Sequence, residues 1–287
     1  MAPAASRTVV LTRQPVQAGA VEAGLAAAGY RLAFLPLTDF ELPADLAGLR
    51  AAVRRVEPDA GNDGGDPAGL DGTAGVTPAL AWLVLTSPNT VRALVRAGWD
   101  GRLAAGLRVA VTGPGTARVL AEAGCTEIPW MPEGDASAAG ILAQFPPPGD
   151  TPSRVVLLPQ SALATDEVAE GLTERGWEVH HVQAYRTVPH PAATERRLLG
   201  GLPPEAESAE TVSVDDLTGA DVVLTSPSAV RELVRRRGTA VPAGTRFIAL
   251  GQPTARAAAA ESLHLAATAP SPDALGVLAV LGLGHRV

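Results

Sequence analysis

The segment Leu83-Val-Leu-Thr-Ser-Pro-Asn-Thr-Val-Arg-Ala-Leu-Val95 returns later in the chain as Val222-Val-Leu-Thr-Ser-Pro-Ser-Ala-Val-Arg-Glu-Leu-Val234. Each copy reads as a buried strand turning directly into a helix. The apolar β-branched run supplies the strand, Thr86 or Thr225 ends it, and Ser87 or Ser226 is placed to cap the helix. Pro88 or Pro227 then suits the first helical turn, where a missing N–H costs little. Hydroxyls beside free helix N–H groups suit the anionic part of a ligand, although a capping role alone also accounts for them.

Further correspondences keep the same spacing. Thr86 and Thr225 are 139 residues apart, and Gly113-Pro-Gly-Thr-Ala-Arg118 returns as Gly251-Gln-Pro-Thr-Ala-Arg256 after 138. Upstream, Val9-Val-Leu-Thr-Arg-Gln14 resembles Val155-Val-Leu-Leu-Pro-Gln160, followed each time by a helical pattern, a glycine (Gly29 or Gly176) and another strand. Matched strand–helix units imply an α/β chain of two similar halves. Taken alone, the repeat suggests contiguous halves cut near Pro148.

With 287 residues and an apolar fraction of 46%, two such cores can be filled. Aromatics make up 3% and the net charge is -7, which argues against a base-stacking surface and gives no field for nucleic acid or anionic lipid. Cys125 is the single cysteine, so an internal disulfide or cysteine-cluster metal site is excluded, and it reads as a small buried hydrophobe. Apolar segments are too short for a membrane span, making the cytoplasm and a monomer the default expectations.

The pattern predicts strands at Arg7–Thr12, Tyr30–Leu35, Leu107–Thr112, Glu127–Trp130, Arg154–Leu158, Glu178–Val182, Thr245–Leu250 and His264–Thr268. Helices are expected at Gln17–Ala28, Leu46–Val56, Ala136–Phe145, Thr165–Arg175 and Pro272–Leu281, the last with Ser271 as its cap. Pro36–Phe40 and Gln183–Val188 read as extended pieces. Residues 57–77 and 203–218 are expected to be polar surface insertions with little to bury. The first is rich in aspartate but lacks the spacing and closing Glu of an EF-hand. His180 and His181 are adjacent in a strand, so they point to opposite faces and form no ligand pair.

Arg13 stands at the carboxyl end of the first strand, where open α/β sheets bind ligands. Gly113 and Gly251 let a ligand approach the backbone, while Thr116 and Thr254 bring hydroxyls to helix starts. Neither turn is a P-loop or a dinucleotide fingerprint, and no metal cluster, Gly-x-Ser-x-Gly elbow or Ser/His/Asp set can be assembled. Any chemistry must therefore rest on positioning and hydrogen bonds. Two classes stay open on the residues: a positioning enzyme, and a two-lobed binding or sensor module that closes on an anionic small molecule.

Taken together, these pieces resemble the uroporphyrinogen-III synthase family over essentially the whole chain. The likeness rests on Val-Leu-Thr-Arg at 10–13, Leu-Thr-Ser-Pro-Asn-Thr-Val at 85–91, Val-Thr-Gly-Pro-Gly-Thr-Ala at 111–117 and Gln183-Ala-Tyr-Arg-Thr-Val188. It continues in Leu-Thr-Ser-Pro-Ser-Ala-Val at 224–230, Ala-Leu-Gly-Gln-Pro-Thr-Ala at 249–255 and Ser271-Pro272. The order and spacing carry it, since no single piece is specific. Gln14, Leu158-Pro-Gln160 and the two polar insertions depart from the family pattern.

The resemblance implies two flavodoxin-like open-sheet domains joined by two extended β crossings, at Pro36–Phe40 and Ala184–Val188. One domain is then discontinuous, residues 1–36 with 189–287, and the other is 37–188. It implies cyclisation of hydroxymethylbilane to uroporphyrinogen III, with loss of water and inversion of ring D, needing no cofactor and no metal. The substrate would lie between the domains against Arg13, Thr86, Ser87, Gly113, Thr116, Thr225, Ser226, Gly251 and Thr254. Arg118, Arg186 and Arg256 are candidate carboxylate partners, and Tyr185 matches the family tyrosine near the substrate, where a phenol suits modest general-acid work. Transient contact with the upstream bilane-forming enzyme or downstream tetrapyrrole enzymes is also implied.

Overall fold

Short β-branched runs that are apolar on both faces belong to parallel strands covered by helices. The computed structural model describes residues 7–58, 79–149, 153–199 and 209–282. It divides into two compact units, Met1–Asp39 with Val188–Val287, and Phe40–Thr187.

In chain order the elements begin β1 (Thr8–Leu11), α1 (Ala20–Ala27), β2 (Arg31–Phe34), β3 (Thr38–Glu41) and α2 (Ala47–Val56). There follow β4 (Leu80–Leu85), α3 (Pro88–Arg96), β5 (Arg108–Val111), α4 (Pro114–Glu122), α5 (Ala138–Gln144) and β6 (Val155–Ser161). The chain continues through α6 (Glu167–Glu174), β7 (Glu178–Pro189), β8 (Asp221–Leu224) and α7 (Pro227–Arg237). It ends with β9 (Arg246–Ala249), α8 (Gln252–Ala260), β10 (Ala267–Thr268) and α9 (Ala274–Gly282).

The first unit holds a sheet in the order β10-β9-β8-β1-β2, its strands paired in parallel. Alternation along β8 feeds two cores. Val222 and Leu224 pack with Val230, Leu233 and Ala258 of α7 and α8, while Val223 turns to Leu25, Val277 and Leu281 of α1 and α9. Helices therefore cover both faces, which is why these strands carry no polar face.

The second unit repeats that plan. Its sheet runs β3-β7-β6-β4-β5, so the two Thr-Ser-Pro strands, β8 and β4, occupy the same place, flanked by β9 and β1 in one unit and by β5 and β6 in the other. On one face Trp82, Val84, Val156 and Leu158 meet Ile141, Val168 and Leu172. Phe145 sits among Trp82, Trp130 and Trp177 at ring-centroid distances of 5.0, 5.4 and 5.9 Å. Helices α2 and α3 pack on β4 from the other side. The chain passes from one unit to the other within β3 and returns near the end of β7, and these two strands are neighbours in one sheet.

Several expected boundaries need correction. Instead of a strand over Glu127–Trp130 there is one parallel bridge from Trp130 to Ala110, and the strand over His264–Thr268 shrinks to Ala267–Thr268. The helix expected from Gln17 starts at Ala20, after a 3₁₀ turn at Pro15–Gln17, because Glu22 accepts the Gly19 N–H and sets a new start. Glu178–Val182 and Gln183–Val188 form a single strand, β7, and not two pieces. Asp273, not Ser271, caps α9: its Oδ1 accepts the Gly276 N–H at 2.8 Å, and Ser271 Oγ donates to it. In the second polar tract the described residues are not merely superficial. Val212 N–H reaches the Phe34 carbonyl at 2.8 Å, and Leu217 is wholly buried. Most of the first polar tract, residues 59–77, lies outside the described residues, as do residues 203–208 of the second.

Candidate functional site

Both units bring helix starts to the carboxyl ends of their central strands. In the second unit β4 ends at Leu85, Thr86 follows, and Ser87 caps α3 by accepting the Thr90 N–H at 3.2 Å. Thr112 Oγ1 donates to the Thr86 carbonyl at 3.3 Å, tying this junction to the end of β5. Gly113 caps α4 with extended backbone, and Thr116 in the first turn is buried. Buried Gln160, from the end of β6, extends its Nε2 to 3.5 Å from Thr86 Oγ1.

Tyr185 arrives at this junction from β7. Its hydroxyl lies 3.0 Å from Ser87 Oγ, and its ring takes the edge of Phe40 with centroids 5.9 Å apart. The side chain is 7% exposed. Burial pushes the phenol up from its ordinary value, while its hydrogen bond with Ser87 pulls the other way. Tyr185 thus stays protonated at neutral pH and is a donor.

The first unit builds the counterpart around threonine. Thr12, 1% exposed, accepts the Thr225 N–H on its Oγ1 at 3.0 Å, and Thr225 Oγ1 donates to the Thr12 carbonyl at 3.1 Å. Ser226 caps α7 by accepting the Ala229 N–H at 3.1 Å. Gly251 caps α8, and Thr254, like Thr116, is buried. Arg13, at the end of β1, pairs with Glu22 at 3.4 Å.

The three candidate carboxylate partners differ in what already holds them. Arg118 is engaged by Glu122 at 2.6 Å along α4, and the Arg186 Nε donates to the buried Glu41 at 2.6 Å. Arg256 is exposed with no ion-pair partner among the described residues. Thr86, Ser87, Gly113, Thr116 and Tyr185 therefore gather in one unit, and Arg13, Thr225, Ser226, Gly251 and Thr254 in the other.

Sequence reading missed Thr12, Ser161 and the buried Gln14–Asp39 pair. Of these only Gln14 carried a signal, in the repeat: Gln14 and Gln160 occupy matching positions, and both are buried. Cys125 is buried and its thiol is pushed up by burial, which keeps it from being a thiolate nucleophile. Among the described residues no group of three or more His, Cys, Asp or Glu side chains is arranged to hold a metal ion, and no helix is long and apolar enough to cross a membrane.

Comparison with known proteins places this arrangement. A family model described as uroporphyrinogen-III synthase HemD matches residues 65–279. The chloroplastic uroporphyrinogen-III synthase of Oryza sativa subsp. japonica is 28% identical over 183 residues, which span 62% of this chain and 54% of the rice protein. This chain thus matches about half the length of that curated relative. Among solved structures, uroporphyrinogen-III synthetase from Helicobacter pylori has a TM-score of 0.54 at 15% identity, covering 98% of this chain and 100% of that one. A mutant uroporphyrinogen III synthase from the extremely thermophilic bacterium Thermus thermophilus has a TM-score of 0.48 at 18% identity, covering 98% of each chain. The Helicobacter likeness is one of fold. The family model reaches further, because it runs through both Thr-Ser-Pro junctions, Tyr185 and the Gly251 turn, and the chain belongs to the uroporphyrinogen-III synthase family.

Proposed function

We propose that this protein converts hydroxymethylbilane to uroporphyrinogen III, closing the ring with loss of water and inversion of ring D. Family membership supports the reaction, and one observation supports the manner: a buried phenol, Tyr185, hydrogen-bonded to the serine that caps α3. The bilane closes unaided to the wrong isomer, so the task is to favour one closure. A preference of about 4 kcal/mol corresponds to roughly a thousandfold.

In this reading Tyr185 donates its proton to the departing hydroxyl of the bilane. The C–O bond breaks with its electron pair on oxygen, water leaves, and the carbocation is stabilised by the adjacent pyrrole nitrogen. The substituted carbon of ring D attacks, the spiro intermediate fragments, and closure in the other sense releases a ring proton that restores the phenol. Carboxylates of the substrate are received by the helix starts at Thr86, Ser87, Gly113, Thr116, Thr225, Ser226, Gly251 and Thr254, with Arg13, Arg118, Arg186 and Arg256 as charged partners. For Arg118 and Arg186, binding requires exchange of Glu122 or Glu41 for a substrate carboxylate.

We also assign the protein residues 1–36 with 189–287 and residues 37–188 as its two domains, a cytoplasmic location, and transient contact with the enzyme that supplies the unstable bilane. Isomer-resolved turnover of fresh hydroxymethylbilane tests the reaction, with isomer III in excess expected. Isomer I at the uncatalysed rate would leave the two-lobed binding module as the better reading. Exhaustive chelation and dialysis should leave turnover undiminished, and rescue of lost activity by one divalent ion would contradict a metal-free mechanism.

A further inference from the structure

Arg92 lies in the second turn of α3, and its hydrogen bonds describe a half-filled fork. Helical side chains lean toward the N-terminus, and Arg92 is caught in that direction. Its Nη1 donates to Asn89 Oδ1 at 3.0 Å, in the first turn of the same helix. Asn89 is buried, so the acceptor has a fixed place. The arginine is itself half-buried, yet it has no ion-pair partner among the described residues. A guanidinium carries five N–H donors, and only its Nη1 end is engaged here. Nε and Nη2 donate to no atom of the described residues, and neither is sealed from water.

We infer that Arg92 is a substrate-binding residue of the second unit, held by Asn89 so that its free edge receives a carboxylate of the bilane beside the Ser87 cap. The inference rests on the reaction proposed above and names the cation that serves its anionic substrate in this unit. A partly desolvated charge without a counterion is costly in the free protein. An arriving carboxylate removes that cost through charge-assisted, bidentate bonds. Burial is the largest influence on the guanidinium and lowers its pKa, with Glu122 acting the other way and Arg118 adding to the decrease. Glu122 is already taken by Arg118 at 2.6 Å on the neighbouring helix α4. Arg118 and Arg186 must each release a glutamate before they can hold a substrate group, whereas Arg92 releases none.

The internal duplication supplies a contrast. At the offset of 139 residues that relates Thr86 to Thr225, Asn89 corresponds to Ser228 and Arg92 to Arg231. Serine lacks the amide carbonyl that holds Arg92. Arg231 is exposed, with neither a hydrogen bond nor an ion pair among the described residues. The same strand–helix junction therefore forms without a held guanidinium. What Asn89 does for Arg92 is no requirement of the fold, and it belongs to one unit only.

Two measurements test this. Anaerobic calorimetric titration with uroporphyrinogen III reads binding without turnover, and steady-state kinetics with fresh hydroxymethylbilane separates KM from kcat. Arg92→Met keeps an apolar stem and removes the charge. It is expected to weaken product binding and raise KM by roughly 10-fold, as for loss of a charged hydrogen bond at a partly solvated site, with kcat little changed. Arg92→Lys keeps the charge without the fork and should lose only about 3-fold. The melting temperature of Arg92→Met should stay level or rise, because an uncompensated charge has been removed. A loss of affinity that Arg92→Lys shares in full, or that comes with a lowered melting temperature in both variants, would make Arg92 a packing residue and overturn the inference. Wild-type binding and KM matched by Arg92→Met would overturn it alone, leaving the reaction standing. Wild-type protein that binds no uroporphyrinogen III and makes no isomer III would overturn the proposed reaction and the inference together.

Discussion

Gln14 and Asp39 bond side chain to side chain inside the first unit, Nε2 donating to Oδ1 at 2.9 Å, and neither is appreciably exposed. The other carboxylate oxygen accepts the Ala192 N–H at 2.9 Å and has Arg197 Nε at 3.1 Å as an ion pair. One carboxylate thus ties together the turn after β1, the start of the outgoing crossing and the segment that follows β7. Asp39→Ala would leave the Gln14 amide and the Ala192 N–H buried without their acceptor and Arg197 without its counterion. A loss of about 3 kcal/mol is expected in urea unfolding, at the low end for a broken buried pair because Arg197 keeps some access to water. Asp39→Asn, which keeps the shape, should lose less.

Acid stability should depend on Glu232. Its carboxylate, on α7, accepts from Arg235 at 2.6 and 2.7 Å and from Arg236 at 2.6 Å. Hydrogen bonding from Arg235 is the leading reason that its pKa is lowered. A lowered folded pKa means stability present above the unfolded value, about 4.3, and lost as pH falls from there through the folded value. Glu232→Gln should be less stable than the parent at neutral pH and show a flatter stability curve across that acid window, measured by denaturant unfolding at a series of pH values. Arg236 also holds the Leu37 and His190 carbonyls at 3.2 and 2.8 Å, so the same variant should loosen amide protection around these residues.

The two capping glycines separate packing from ligand approach. Both have extended backbone open to any residue, with φ of -178° at Gly113 and -172° at Gly251. A Cβ at Gly113 would lie 2.7 Å from the Ala136 Cβ, whereas at Gly251 the nearest atom is Pro253 Cδ at 3.9 Å. Gly113→Ala should therefore destabilise the second unit by about 1 to 3 kcal/mol through overpacking. Gly251→Ala should leave the melting temperature unchanged yet raise KM, by roughly 10-fold if the bilane approaches that backbone. An unchanged KM would remove Gly251 from the binding surface.

Replacing Tyr185 by Phe removes one donor and keeps the ring against Phe40. Turnover should fall by about 10- to 100-fold, because the bilane ionises readily and loses only assistance to the departing hydroxyl. Isomer choice should stay with isomer III, since it depends on how ring D is held. Product analysis after complete conversion reads both effects at once, and full turnover in the variant would take Tyr185 out of the chemistry.

What local chemistry controls is legible in the residues alone. A β-branched run, a capping serine and a proline in the next turn specify each strand–helix junction within a dozen residues, and the repeat of that unit declares the duplication. Tertiary structure alone decided which junction residues acquire partners. Ser87 and Tyr185 are 98 residues apart, and Arg186 and Glu41 are 145 apart. No spacing rule reaches across such distances, because which strands become neighbours is set by burial of whole apolar faces. The same holds for the boundaries where the structure departs from the residue pattern. Bridge residue Trp130 and cap residue Asp273 are defined by what their backbone or carboxylate meets in space, not by the residues beside them in the chain.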